Sequence, residues 1–283
     1  MSLLDRVRAC RRWRPEAYRP WRIGRTLVGR VRHDLAERLR DFPDVFEVSD
    51  RAVGLRAGFD DFAGRSEAVD GVVRDLAEDG EVGRYRGEAY PVVPLWGDEP
   101  LLKMDRGAVP DFGVRGYGVH VNGLVEAPDG LRMWVGKRAM TKPTGAGKLD
   151  HLVAGGQPYG IGVFDNLIKE AAEEAALPAA LARRAVAVGA VSYRCERAEG
   201  LRDDVLFCYD LVLPADFAPR NTDGEVDWFE LWPIEKVAAR VAETDDFKFN
   251  VALVNIDFMV RRGLLGPDDP DYMAIVDGLH LSD

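Results

Sequence analysis

The chain has 283 residues, 47% hydrophobic and 30% charged, with a formal net charge of −10. That is enough apolar material for a real core in one large or two ordinary domains. The negative charge argues against general nucleic-acid affinity, because phosphate backbones need a basic surface, but it leaves small phosphates open. No apolar run approaches the roughly 18 residues a membrane helix needs, and residues 1–15 lack the apolar centre of a signal peptide. Cys10, Cys195 and Cys208 have no framework spacing, so reduced thiols in a cytoplasmic protein are expected.

Residues 1–40 carry twelve Arg against four Asp or Glu, a net +8 that leaves −18 on the remainder. Such a segment is expected to dock on the acidic part of the same chain or on a second subunit. Leu27, Val28, Val31, Leu35 and Leu39 have helical spacing, which predicts a helix over 27–39. Residues 45–48 and 52–55 predict a short hairpin around the polar Ser49-Asp50-Arg51. A helix is expected near 68–76 and a strand near 90–93, with no catalytic pattern among them. His33 reads as structural or exposed, and Trp13 and Trp21 as packing residues. Asp105 to Pro110, with Gly107 inside, reads as a linker that closes an N-terminal unit of residues 1–115.

From Tyr117 onward the pattern is that of a sheet, with strands over 117–125 and 131–138 joined by a turn at 127–130. Lys137, Arg138, Lys142 and Lys148 follow in a loop. They could grip a diphosphate, arginine in bidentate fashion, or simply form a solvated basic loop. Asp150 and His151 precede the glycine loop, where they contact substrate or brace the strand. The loop itself, Gly155-Gly156-Gln157-Pro158-Tyr159-Gly160-Ile161-Gly162, leads into a helix carrying Glu170, Glu173 and Glu174. At about 100° per residue, Leu167, Ile168, Ala171, Ala172 and Ala175 form one apolar stripe.

The three glutamates crowd one side of that helix, where like charges cost a few tenths of a kcal/mol per pair. An acidic helix face is most often only solvated. A glycine loop that lets backbone approach a ligand, followed by a helix N-terminus offering N–H groups to an anion, points elsewhere. Mg²⁺ prefers oxygen ligands and bridges carboxylates to phosphates, so the pair reads as a diphosphate site. Pro178 ends the helix, and a short helix over 179–184 is expected next. Strands near 185–193 and 204–213 should flank a polar turn at 196–203. The run 225–232 carries Glu225, Asp227 and Glu230 ahead of helices expected at 234–241 and 250–259.

This stretch resembles the box of the Nudix hydrolases. The box runs Gly, five residues, Glu, seven residues, Arg-Glu, an apolar residue, any residue, Glu-Glu, any residue, Gly and an apolar residue. Gly155, Glu170, Glu173, Glu174 and Leu177 match it, while Ile161, Lys169 and Ala176 stand where Glu, Arg and Gly belong. In the family the replaced Glu and Arg mainly brace the loop against the helix, so the metal cluster is retained. Phe112-Gly113-Val114, Gly118 to Gly123, Gly147 to Gly156 and Asn166 to Glu170 resemble the branch related to thiamine pyrophosphokinase. Members of that branch carry an extra N-terminal domain.

The resemblance implies an α+β protein in which a Nudix α/β/α sandwich around a mixed sheet, residues 116–283, follows a smaller α+β domain. It implies Mg²⁺ or Mn²⁺ held by Glu170, Glu173 and Glu174, with Glu173, Glu174 and Glu225 catalytic. Arg138, Lys148, Gly155 and Gly156 would bind substrate, and Trp134, Trp228 or a tyrosine could stack on a planar ring. The expected partner is a small-molecule diphosphate, thiamine diphosphate or its oxidised analogues, with no nucleic acid or membrane and a homodimer left open. The alternatives are a hydrolase of nucleotides or nucleotide sugars and a non-catalytic binding module.

Overall fold

The computed structural model describes residues 2–281. It opens with helix α1 (Leu3–Ala9), strands β1 (Tyr18–Ile23) and β2 (Thr26–Arg32), and helix α2 (His33–Arg38). Strands β3 (Phe46–Val48) and β4 (Val53–Leu55), helix α3 (Phe62–Glu78), and strands β5 (Ala89–Val92) and β6 (Leu102–Asp105) follow. The first four strands form a sheet in the order β2-β1-β4-β3, and β5 pairs with β6 alone. Trp21 is fully buried between Phe46 and Phe112, and Val69, Val72, Val73 and Leu76 of α3 join that core.

The helix expected over 27–39 is replaced by a strand followed by a short helix. Thr26, Val28 and Val31 are β-branched residues that suit a pleated surface; Thr26 and Val31 pair with Ile23 and Arg19 of β1, and Val28 sits at a bulge between the pairs Arg22↔Leu27 and Trp21↔Gly29. A Cβ on Gly29 would lie 2.4 Å from the Phe112 carbonyl oxygen, so the close packing of this strand requires glycine. The expected linker is also structured. Asp105 is buried, and its carboxylate accepts N–H groups from Arg86, Gly87 and Gly107, while Ala108 and Val109 enter the core.

The second half contains β7 (Arg115–Ala127), β8 (Gly130–Arg138), β9 (Leu149–Asp150), β10 (Val153–Gly156), α4 (Val163–Ala175) and α5 (Ala179–Ala182). It continues with β11 (Val186–Arg197), β12 (Gly200–Val212), β13 (Val226–Pro233), α6 (Ile234–Glu243), α7 (Phe249–Arg261) and α8 (Tyr272–Gly278). Its seven-stranded sheet runs β11-β12-β7-β8-β13, with β10 on β7 and β9 on β8. The β12–β7 pairing is parallel and the others antiparallel, which makes the sheet mixed. Leu167, Ala171 and Ala175 of α4 cover one face through Val119, Val121 and Val153. On the other face, Leu4, Val7, Val237, Val251 and Phe258 pack with Leu124, Val191, Tyr193 and Leu206. The result is an α/β/α sandwich.

The polar turn expected at 196–203 is shorter than its composition suggests. Strand β12 already begins at Gly200, and Arg194 pairs with Asp203 at 2.7 Å and Arg202 with Asp204 at 2.6 Å, so the charged residues stay inside the ladder. The sheet opens on the other side of β7. Strands β7 and β8 pair only over Leu124↔Met133 to Ala127↔Gly130, and β9 and β10 occupy the space where they part.

The arginine-rich start docks on its own chain. Arg6 pairs with Asp245 at 3.0 Å, Arg14 with Glu196 at 3.2 Å, and Arg11 donates to the Gly278 carbonyl at 3.0 Å. Beneath α7 lies a polar layer. His120 Nδ1 meets His151 Nδ1 at 3.0 Å, His151 Nε2 meets Asn255 at 3.2 Å, and Arg138 donates to Asp150 at 2.7 Å. Burial, reinforced for His120 by its neighbour His151, holds both imidazoles below the ordinary histidine value, His120 at about 3.

Two outcomes follow from this packing. Leu4→Ala should lower the stability of the whole chain by about 2–5 kcal/mol in denaturant unfolding, because α1 is seated in the core of the second half. Below pH ~6.5 the unfolded chain protonates His120 while the folded chain does not, so stability falls by up to about 1.4 kcal/mol per pH unit towards pH 3. Urea titrations between pH 6.5 and 5 should show a shallower loss for His120→Gln than for the natural chain.

Candidate active site

Strand β10 runs antiparallel to β7, with Gly155 opposite Val119 and Gly156 opposite Gly118. These glycines are required by close approach: a Cβ on Gly155 would lie 2.4 Å from Glu170 Cδ, and one on Gly156 would lie 1.5 Å from the Tyr90 hydroxyl. The loop that follows is braced without the missing Glu–Arg pair. Gln157, buried, donates from Nε2 to the Ile161 carbonyl at 2.7 Å, and buried Asn166 of α4 donates to the Gly156 carbonyl at 2.7 Å.

The apolar stripe of α4 seats the helix on the sheet and thereby turns Glu170 and Glu174, one turn apart, towards β10. Glu174 is buried and accepts the Ala154 N–H at 2.8 Å. Burial pushes its carboxyl well above the ordinary value, and the nearby charges of Glu170 and Asp150 push the same way. Glu170 is also raised, chiefly by burial, against the pull of Lys169. Glu173 is half exposed, and Lys169 Nζ bridges it at 3.0 Å to Glu170 at 2.8 Å.

These carboxylates line a cleft of about 280 Å³ where the sheet opens. Gly155, Gly156, Arg138 and Glu225 line it too, whereas Lys148 does not; its ammonium donates to the Asp245 carbonyl instead. Arg138 is already engaged, its Nη1 on Asp150 and its Nε and Nη2 on the Thr144 carbonyl. Glu225 is paired with Lys142. Among the described residues none between Gly156 and Lys169 lines the cleft, so the N-terminus of α4 does not face it. The cations, not the helix end, are the groups available to an anion.

Trp134 and Trp228 are not cleft residues either. Trp134 packs with the α4-side core, Trp228 with the opposite one, and the tyrosines and phenylalanine among the lining residues are Tyr90, Tyr117 and Phe249. Arg106, Arg202 and Lys248 also line it and were not singled out from the sequence. Arg202 and Asp204 are two apart on β12 and so share one face, a signal hidden by reading that run as a turn. Lys248 is brought down to about 8 by burial, with Asp150 opposing the shift.

A hard divalent ion fits the glutamates. Glu170 and Glu174 are oxygen donors whose negative charge is penalised where they stand, and a cation there would offset both burial and mutual repulsion. A second group, His120, Asp150 and His151, has ligand atoms within 4.8 Å of one another. It is a poor match for such an ion, because Arg138 already neutralises Asp150 and the imidazoles bond to each other. It is a hydrogen-bonded floor beneath the cleft.

A family model described as a domain of unknown function, DUF4743, matches residues 2–116. Nudix hydrolase 24, chloroplastic, of Arabidopsis thaliana is 43% identical over 278 residues, which is 97% of this chain and 76% of the relative. Nudix hydrolase 20, chloroplastic, of the same plant is 42% identical over 273 residues, covering 93% of this chain and 73% of that one. The solved structure of DR0079 from Deinococcus radiodurans has a TM-score of 0.46 at 22% identity, over 60% of this chain and 98% of its own. The cytoplasmic location expected from composition is overturned by the two plant names, both chloroplastic: cysteine spacing and the composition of residues 1–15 do not define a compartment. Identity at this level, sustained across nearly the entire sequence including the box, makes the chain a member of the Nudix hydrolase family.

Proposed function

We propose that this Nudix hydrolase is a divalent-cation-dependent diphosphatase acting on thiamine diphosphate or its oxidised analogues. The observation that carries the reading is the pair of acids, buried Glu174 and part-buried Glu170, lining one cleft with Lys142, Arg106, Arg202 and Lys248. The thiamine assignment is supported by the branch-like motifs around residues 112–123 and 147–170. It is supported also by charge, since a thiazolium cation suits a cleft that holds Glu88, Asp223 and Glu225 beside its cations.

Glu170 and Glu174, with Glu173 beside them, would hold Mg²⁺ or Mn²⁺, which when bound neutralises phosphate oxygens and acidifies water. Arg138 contributes charge from its braced position rather than new hydrogen bonds, and Gly155 and Gly156 border the diphosphate while the space above them seats Glu170 and the Tyr90 hydroxyl. Glu225, exposed at the cleft and adjustable through Lys142, accepts the proton of the attacking water, with Glu173 next in reach. Water oxygen bonds to phosphorus as the anhydride P–O bond breaks, and Lys248 meets the negative charge of the departing phosphate.

In this reading residues 1–115 form the N-terminal α+β unit and 116–283 the Nudix domain. The separate core around Trp21 supports that division, although α1 is seated in the second core. A nucleotide or nucleotide sugar is the second substrate class, favoured by the same cations but not by the acids around them.

Glu174→Gln should lower kcat by about 100-fold or more in a phosphate-release assay with Mg²⁺. It should also raise the thermal midpoint of the metal-free protein, because the amide removes a buried charge kept for function. A panel of thiamine diphosphate, its oxidised analogues, ADP-ribose and UDP-glucose should give the highest kcat/KM with a thiamine compound; a nucleotide substrate at the top would transfer the assignment to the second class.

A further inference from the structure

We infer that the N-terminal unit supplies one wall of the active site, with Arg106 gripping the substrate's diphosphate and Tyr90 positioning the glycine strand. The inference deepens the diphosphatase reading and rests on it. Tyr90 belongs to the β5–β6 pair and Glu88 and Arg106 flank its end, yet all three line the same cleft as Glu170 and Glu174. The contact is built in at several points. The Tyr90 hydroxyl fills the position a Gly156 side chain would need, Tyr159 donates its N–H to the Ala89 carbonyl at 2.8 Å, and Phe62 stacks on Tyr159 at 5.1 Å.

Arg106 differs from the other arginines of the cleft, and from Lys142 and Lys169, in what it has left to give. Arg138 has Nε, Nη1 and Nη2 engaged, Arg202 spends Nε and Nη2 on Asp204, Lys142 pairs with Glu225, and Lys169 bridges two glutamates. Arg106 places Nη1 on Glu88, while its Nε and Nη2 carry no hydrogen bond among the described residues. Nε and Nη2 form the planar edge that meets two oxygens of one phosphate. Its backbone is fixed by an N–H bond to the Glu88 carbonyl at 2.8 Å, and its guanidinium lies 5.7 Å from the centroid of the Tyr90 ring. The side chain is 46% exposed, so a ligand can reach it and the fold does not depend on it. The negative charges of Glu88 and Glu170 both act on Arg106, which puts its free edge within the field of the box carboxylates.

The test uses the full chain carrying Arg106→Gln or Arg106→Lys, with Arg74→Gln as a control for losing an exposed arginine pair elsewhere in the N-terminal unit. Arg106→Gln should raise KM for thiamine diphosphate about tenfold with little change in kcat, Arg106→Lys should recover part of the loss, and Arg74→Gln should match the natural chain. Calorimetric binding of inorganic pyrophosphate with Mg²⁺ should weaken about tenfold in Arg106→Gln. That binding measurement holds whichever organic diphosphate proves to be the substrate, so a failed thiamine assignment and a failed wall are told apart. Unchanged KM and unchanged pyrophosphate affinity, no pyrophosphate binding by the natural chain, or a loss confined to kcat with a lowered thermal midpoint would each overturn the inference.

Discussion

The hydrogen bond from the Ala154 N–H to the Glu174 carboxyl, made at 2.8 Å in a buried position, is the constraint on which the site depends. It joins the acidic helix to the glycine strand and holds an acid where water would ordinarily have to solvate it. Burial therefore makes the charged form of Glu174 costly, and Glu170, laid over Gly155, adds to that cost. A protein gains nothing in stability from two such neighbours. Their placement makes sense as a standing attraction for a hard cation, with folding energy from the α4 stripe supporting the arrangement.

The opening in which this attraction acts comes from the sheet. Because β7 and β8 separate beyond Leu124 and Met133, β9 and β10 can enter between them and expose one end to solvent. The floor is a layer of mutually bonded polar groups, His120, His151, Asp150 and Arg138, which keeps the strands in register without free charge. The remaining wall comes from the first half of the chain, through the β5–β6 pair. The first half has its own core and the second has one on each face of its sheet, but the cleft belongs to both halves, and the arginine-rich start crosses back to seal α1 onto the second.

How much of this was legible in the residues depended on the range of the interaction responsible. The hairpin at β3 and β4, the β7–β8 hairpin, the box helix and the closing helices could be read because apolar periodicity and turn residues are local signals. The reading failed at 27–39, where helical spacing and β-branched content competed and pairing with β1 favoured the strand. It overreached again at 196–203, where polar residues suggested a longer turn but one cross-strand ion pair, Arg194 with Asp203, and one along β12, Arg202 with Asp204, kept them in the ladder. Arg138 and Lys148 were singled out as phosphate ligands for their charge, yet one is committed to Asp150 and Thr144 and the other to Asp245.

By themselves the residues determined that a glycine-rich stretch leads into an amphipathic helix bearing three carboxylates on one side, because the helical repeat fixes which side chains share a face. Only the tertiary structure decided that Glu170 and Glu174 are drawn out of water while Glu173 stays half exposed, since burial depends on what packs against the helix. It likewise decided which basic groups meet those acids and which of them keep unused donors. Arg106, Arg202 and Lys248 come from three separate parts of the chain, and their convergence follows from the topology of the sheet, for which no local sequence pattern is a record.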